Sequence, residues 1–112
     1  MSKIPTKTIE QLFNRARQTG YAEKYTNSNY YGARCLTWQI VQESYDYYIL
    51  YHYGTKIMKF RIVRKEFEIL PGAYSATDQT AIQSIAYLLG FVTECHKIKR
   101  KKEQIYLECL KN

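Results

Sequence analysis

The histidines, aspartates and cysteines, from which a hydrolytic or metal site is commonly built, are few in this chain: His52, His96, Asp46, Asp78, Cys35, Cys95 and Cys109. A side-chain nucleophile needs a base within hydrogen-bond reach and a third group to orient that base. Cys35, His52 and Asp46 are the one combination that adjacent strands would bring together. All three sit in strand-like runs, and none at the sharp turn that exposes a nucleophile. They are expected to pack or to hydrogen-bond at the surface, and no catalytic residue is assigned. Cys95 and His96 are adjacent, so a strand would turn them to opposite faces, and no second pair at ligand spacing accompanies them. No metal or cofactor is expected. The odd number of cysteines, without a C-x-x-C pair, points to reduced thiols instead of a disulfide framework. Gly20, Gly32, Gly54, Gly72 and Gly90 stand singly at element ends and form no phosphate loop.

Binding is the better-supplied chemistry. Seventeen Lys and Arg against ten Asp and Glu give a formal net charge of +7, which favours an acidic partner such as nucleic acid. Lys97, Lys99, Arg100, Lys101 and Lys102 crowd into one short stretch, and Lys56, Lys59, Arg61, Arg64 and Lys65 lie in and beside another. Either set can neutralise phosphates, and Tyr48, Tyr51 and Tyr53 offer rings on which unpaired bases would stack at ~1–3 kcal/mol each. The combination suits single strands or RNA. The nucleic-acid contact is therefore assigned to Lys97, Lys99, Arg100, Lys101 and Lys102, with Lys59, Arg61 and Tyr48. Tyr21, Tyr25, Tyr30 and Tyr31 are rings in a polar stretch with little core to absorb them, and are assigned to a protein partner or a second subunit.

These residues must be held by elements that the pattern itself suggests. Ile9, Leu12, Phe13 and Ala16 recur at helical spacing, with Thr6 or Thr8 to cap the start and Gly20 to stop it. Residues 20–34, rich in Tyr, Asn, Ser and Gly, read as a flexible loop. Runs from Cys35 to Glu43, Tyr45 to Tyr53, Lys56 to Val63 and Glu66 to Leu70 read as a four-stranded meander. A turn at Gly54-Thr55 would pair Tyr51 with Met58, Ile49 with Phe60 and Tyr47 with Ile62, and a turn at Arg64-Lys65 would pair Ile62 with Phe67 and Phe60 with Ile69. That register puts Tyr51 and Tyr53 on the core face, and Tyr48, Leu50, Lys59, Arg61 and Glu68 on the opposite one. Trp38 is expected in the core. From Ser75, the stripe Ala81, Ile82, Ile85, Leu88 and Leu89 predicts a second helix ending at Gly90. Residues 93–110 fit a terminal hairpin with a basic tip, and a helix is the competing reading.

The order of meander, Gly72-Ala73-Tyr74-Ser75-Ala76-Thr77, a helix ending Leu89-Gly90-Phe91, and Gln104-Ile105-Tyr106-Leu107 resembles small uncharacterised proteins of bacteriophages and mobile elements. The likeness covers about Tyr47 to Leu110 and includes the strand Tyr51-His52-Tyr53-Gly54-Thr55-Lys56-Ile57. Where that family usually has Trp-Tyr, this chain has Ile105-Tyr106. The resemblance implies a binder of host or phage macromolecules, and some such proteins inhibit bacterial defence nucleases.

The expected architecture is α+β: one domain over residues 1–112, with an antiparallel sheet of four meander strands plus a C-terminal hairpin, packed by two helices. No run approaches the ~20 apolar residues that cross a bilayer, and the amino terminus lacks the apolar segment of a secretory signal, so the host cytoplasm is the expected location. The expected function is non-catalytic binding of DNA or RNA through the hairpin tip, with no membrane partner. The alternative is a protein inhibitor of a host defence system, such as a CRISPR effector nuclease, acting on a host protein or ribonucleoprotein. A homodimer is compatible with either.

Overall fold

The computed structural model describes residues 6–27, 34–91, 96–101 and 104–109. The helix α1 (Lys7–Thr19) starts at Thr6, whose hydroxyl accepts from the Ile9 amide, and stops at Gly20, which takes φ 84° and donates its N–H to the Ala16 carbonyl. Both ends thus supply partners to backbone groups that a helix cannot satisfy internally. Ile9, Leu12, Phe13 and Ala16 form its buried stripe. The second helix, α2 (Ala76–Leu88), opens on a reciprocal capping box: the Asp78 amide donates to the Ser75 hydroxyl, and the Ser75 amide donates to the Asp78 carboxylate. At the start of α1, the Thr6 amide donates to the Ser84 hydroxyl of α2 at 3.0 Å, joining residues 78 apart in sequence.

Five strands, β1 (Tyr21–Asn27), β2 (Arg34–Ser44), β3 (Tyr47–His52), β4 (Thr55–Arg61) and β5 (Glu66–Ile69), pair in chain order as one antiparallel sheet. A two-stranded antiparallel hairpin, β6 (His96–Lys101) and β7 (Gln104–Cys109), forms a second sheet. The α+β meander, the two helices and the hairpin are as the sequence indicates. The loop expected over 20–34 is a strand as far as Asn27, paired from Tyr21–Val41 to Asn27–Arg34. Among the described side chains of that strand only Ala22 is buried, so they carry none of the apolar alternation by which strands are recognised.

The register also departs from expectation, for a local reason. The β3–β4 turn is Tyr53-Gly54, with φ of 51° and 78°, instead of Gly54-Thr55. A tyrosine at positive φ is uncommon because its Cβ crowds the backbone. Leu50 pairs with Met58 and Tyr51 with Lys56, which leaves Ile57 as the extra residue of a bulge and lets consecutive Ile57 and Met58 both enter the core. Shifting a strand by one residue exchanges its faces. Tyr48 and Leu50 are thus buried, while Tyr47, Ile49 and Tyr51 take the opposite side. The β4–β5 pairing, Phe60–Phe67 and Met58–Ile69, is displaced by two residues from expectation and keeps the expected faces.

Both helices pack on the face carrying Trp38, Ile40, Tyr48, Leu50, Met58 and Phe60, in one cluster with Ile82, Ile85, Ile98 and Ile105. Burying each large aliphatic side chain contributes on the order of 1.5–3 kcal/mol. The hairpin joins this core through Ile98 and Ile105. The side-chain amides of Gln79 and Gln83 on α2 both donate to the Ile98 carbonyl. Phe91 meets Phe67 edge-on, with ring centroids 4.9 Å apart. Ile49 is buried on the other side of the sheet, outside the main cluster. Among the described residues, no helix is long and apolar enough to cross a membrane.

Candidate nucleic-acid interface

Partners across an antiparallel ladder share a face. In the hairpin, Ile98–Leu107 and Arg100–Ile105 fall on one side, and Lys99–Tyr106 and Lys101–Gln104 on the other. Burial of Ile98 and Ile105 turns the first side toward the protein body, although Leu107 at its margin is as exposed as Tyr106 on the second side. The pleat therefore divides the basic cluster. Lys99, half-buried, and Lys101, exposed, share the side of Tyr106 at the i, i+2 spacing of about 7 Å. Arg100 belongs to the inner row yet is exposed. Across the ladder, Lys99 pairs with Tyr106, Arg100 with Ile105 and Lys101 with Gln104. Lys102 and the side chain of Lys97 lie outside the described residues.

The second cluster sits on the face of the sheet opposite the helices. Lys59 Nζ is 4.5 Å and Arg61 Cζ 4.3 Å from the centroid of the Tyr47 ring. Hydrogen bonds from Lys59, then Arg61, hold the Tyr47 phenol below its usual pKa. A groove of about 230 Å³ runs beside them. The edge strand β5 sets Glu68 opposite Lys59 and Glu66 opposite Arg61, with Arg61 Nε 3.9 Å from Glu66 Oε1. A phosphate entering here would compete with two carboxylates, so this cluster is partly neutralised from within.

Tyr48 does not belong to either surface. It is 6% exposed and stacks on Phe60 with centroids 5.4 Å apart, and burial holds its phenol above the usual pKa. The one-residue slip in register accounts for the misassignment. The same slip moves Tyr51 to the open face, and Tyr53 is exposed at the turn instead of lying in the core. Tyr21 and Tyr25 project from β1, about two-fifths exposed, instead of from a loop. Tyr30 and Tyr31 lie outside the described residues.

Cys35, His52 and Asp46 are dispersed. Asp46, itself at φ 58°, is buried and accepts from the amides of Ile62, Val63 and Arg64 at 3.0, 2.7 and 3.2 Å, closing the β4–β5 connection. Cys35 pairs with Thr26 at the far end of β2. His52 instead meets Asp78, Nδ1 to Oδ1 at 2.6 Å, and lies flat on Trp38 at 4.0 Å. Burial raises the Asp78 carboxyl, but amide hydrogen bonds from Tyr74 and Ser75, together with His52, outweigh it and leave the pKa below its ordinary value. This clamp ties the end of β3 to the start of α2, beside a cleft of about 310 Å³. The capping-box position of Asp78, three residues after Ser75, was its one visible trace in the sequence. Cys95 and the side chain of His96 lie outside the described residues. Among the described residues, no three His, Cys, Asp or Glu side chains gather as metal ligands.

No family model, curated protein or solved structure matches the chain.

Proposed function

We propose that the protein binds nucleic acid without acting on it chemically, and that the C-terminal hairpin is the principal contact. The observation that carries this reading is the pair of exposed cations Arg100 and Lys101 at the hairpin tip, with the half-buried Lys99 next to them and paired with an exposed tyrosine, Tyr106. Lys59 and Arg61 add a weaker, partly neutralised contact. The sequence-independent affinity of such a surface comes from counterion release, so it should fall steeply with salt.

The test is a salt titration of binding to labelled single-stranded DNA, duplex DNA and RNA, with Lys99, Arg100 and Lys101 replaced together by Ala in parallel. Losing up to three phosphate contacts should reduce the magnitude of the log–log salt slope by up to about 2.7 on duplex DNA and about 2.1 on single strands. Absence of binding at low salt, or a variant with an unchanged slope, would overturn the reading.

A further inference from the structure

The strand β1 is an edge of the five-stranded sheet, with no described strand beyond it. The bulge interrupting its pairing lies on β2: Lys24 pairs with Trp38 and Tyr25 with Leu36, so Thr37 is the extra residue. β1 itself stays regular over 7 residues and contains no proline. Beyond Tyr21, whose N–H and C=O are held by the Thr19 hydroxyl, such a regular edge presents backbone donors and acceptors that another extended chain can match.

Beside this edge, the flank of α1 bearing Gln11, Asn14 and Arg15 and the strand residues Lys24 and Tyr25, with Arg34, border a groove of about 570 Å³. Three cations line it, Arg15, Lys24 and Arg34, against a single acid, Glu23. Glu23 is engaged by the Tyr25 hydroxyl, whose pKa that hydrogen bond raises. Among the described residues none of the three cations is in an ion pair, and Arg34 stacks 5.2 Å over the Tyr25 ring.

We infer that this groove takes an extended acidic peptide segment of another protein, added as a strand to β1. Its main chain would meet the edge of β1, and its Asp and Glu side chains would meet Arg15, Lys24 and Arg34. A polynucleotide shares the charge but has no backbone ladder to pair with β1. One face of the Tyr25 ring, the obvious stacking surface, is already covered by Arg34. This inference stands apart from nucleic-acid binding at the hairpin.

The experiment selects displayed random peptides of about ten residues, long enough to span β1 at about 3.4 Å per residue, on the full-length protein. Selected peptides should be rich in Asp and Glu and should shift the backbone amides of β1 in a ¹⁵N spectrum. Arg15→Glu with Arg34→Glu should weaken them at least about tenfold, as should N-methylation of alternate peptide amides, which needs no protein variant. The Lys99→Ala, Arg100→Ala, Lys101→Ala protein should bind them as wild type does. Neutral or basic selected peptides, amide shifts confined to other elements, or indifference to N-methylation would overturn the inference. Displacement by an excess of an oligothymidylate would also overturn it, by showing that the groove takes nucleic acid.

Discussion

Replacing Asp78 by Ala removes one acceptor from three partners: His52 Nδ1 at 2.6 Å, and the amides of Tyr74 and Ser75 at 3.1 and 3.2 Å. Hydrogen bonds to an ionised group contribute about 1.5–3 kcal/mol each, and the two amide bonds are long enough for the lower figure, about 3 kcal/mol together. His52 keeps some access to water, which limits the loss of its contact to about 1–2 kcal/mol. The expected cost is about 4–5 kcal/mol, a large share of the 5–15 kcal/mol typical of a folded domain. Urea unfolding at neutral pH, with an unchanged slope, measures it. The pH dependence gives an independent readout. Because the folded pKa of Asp78 lies below its unfolded value, its stabilisation is complete above about pH 4 and is lost as pH falls through the folded value. Asp78→Asn should therefore lose less stability than wild type on acidification from pH ~5 to pH ~2. A neutral-pH cost below about 1 kcal/mol for Asp78→Ala, or an unchanged acid profile for Asp78→Asn, would refute the account.

Asp46→Ala should cost about 2–4 kcal/mol by orphaning the amides of Ile62, Val63 and Arg64, and hydrogen exchange at those amides should accelerate before that of β2. Gly72→Ala would bring a methyl group within 2.6 Å of the Lys56 carbonyl oxygen and of Thr55 Cγ2. It should cost about 1–3 kcal/mol in urea unfolding, since backbone must move to relieve it. Leu50→Ala, at a fully buried position, should cost about 2–5 kcal/mol in the same assay.

Both helices were legible because their determinants are local. A threonine cap, Gly20 and Ser75 sit where helix ends need them, and Ile9, Leu12, Phe13 and Ala16, then Ala81, Ile82 and Ile85, recur at helical spacing, although the second buried face also takes in Ser84. The meander was legible as a set of strands, but its register was not. It depends on Tyr53 accepting a positive φ and on Ile57 bulging into the core, and neither choice has a mark in composition. The error was asymmetric: the two-residue displacement at β5 cost nothing in face assignment, whereas the one-residue displacement at β3 buried Tyr48, a proposed contact. The strand β1 was hidden because its partner, not its own pattern, makes it a strand. The His52–Asp78 clamp joins residues 26 apart, and nothing short of the fold reveals it. The cationic hairpin was readable because alternation over Ile105 and Leu107 and the lysine-rich turn are both contiguous.

The bond from Thr6 to Ser84 spans most of the chain, whereas every strand of the five-stranded sheet pairs with its neighbour in sequence. During synthesis the sheet can therefore assemble in the order in which its strands leave the ribosome, each step closing only a short loop. The face carrying Ile40, Leu50, Met58 and Phe60 stays incompletely roofed until α2 emerges. A nascent chain stalled before Ser75 would hold a paired sheet with an adhesive underside, the kind of intermediate that chaperones retain. Arrival of α2, and then of the hairpin that brings Ile98 and Ile105, closes that face.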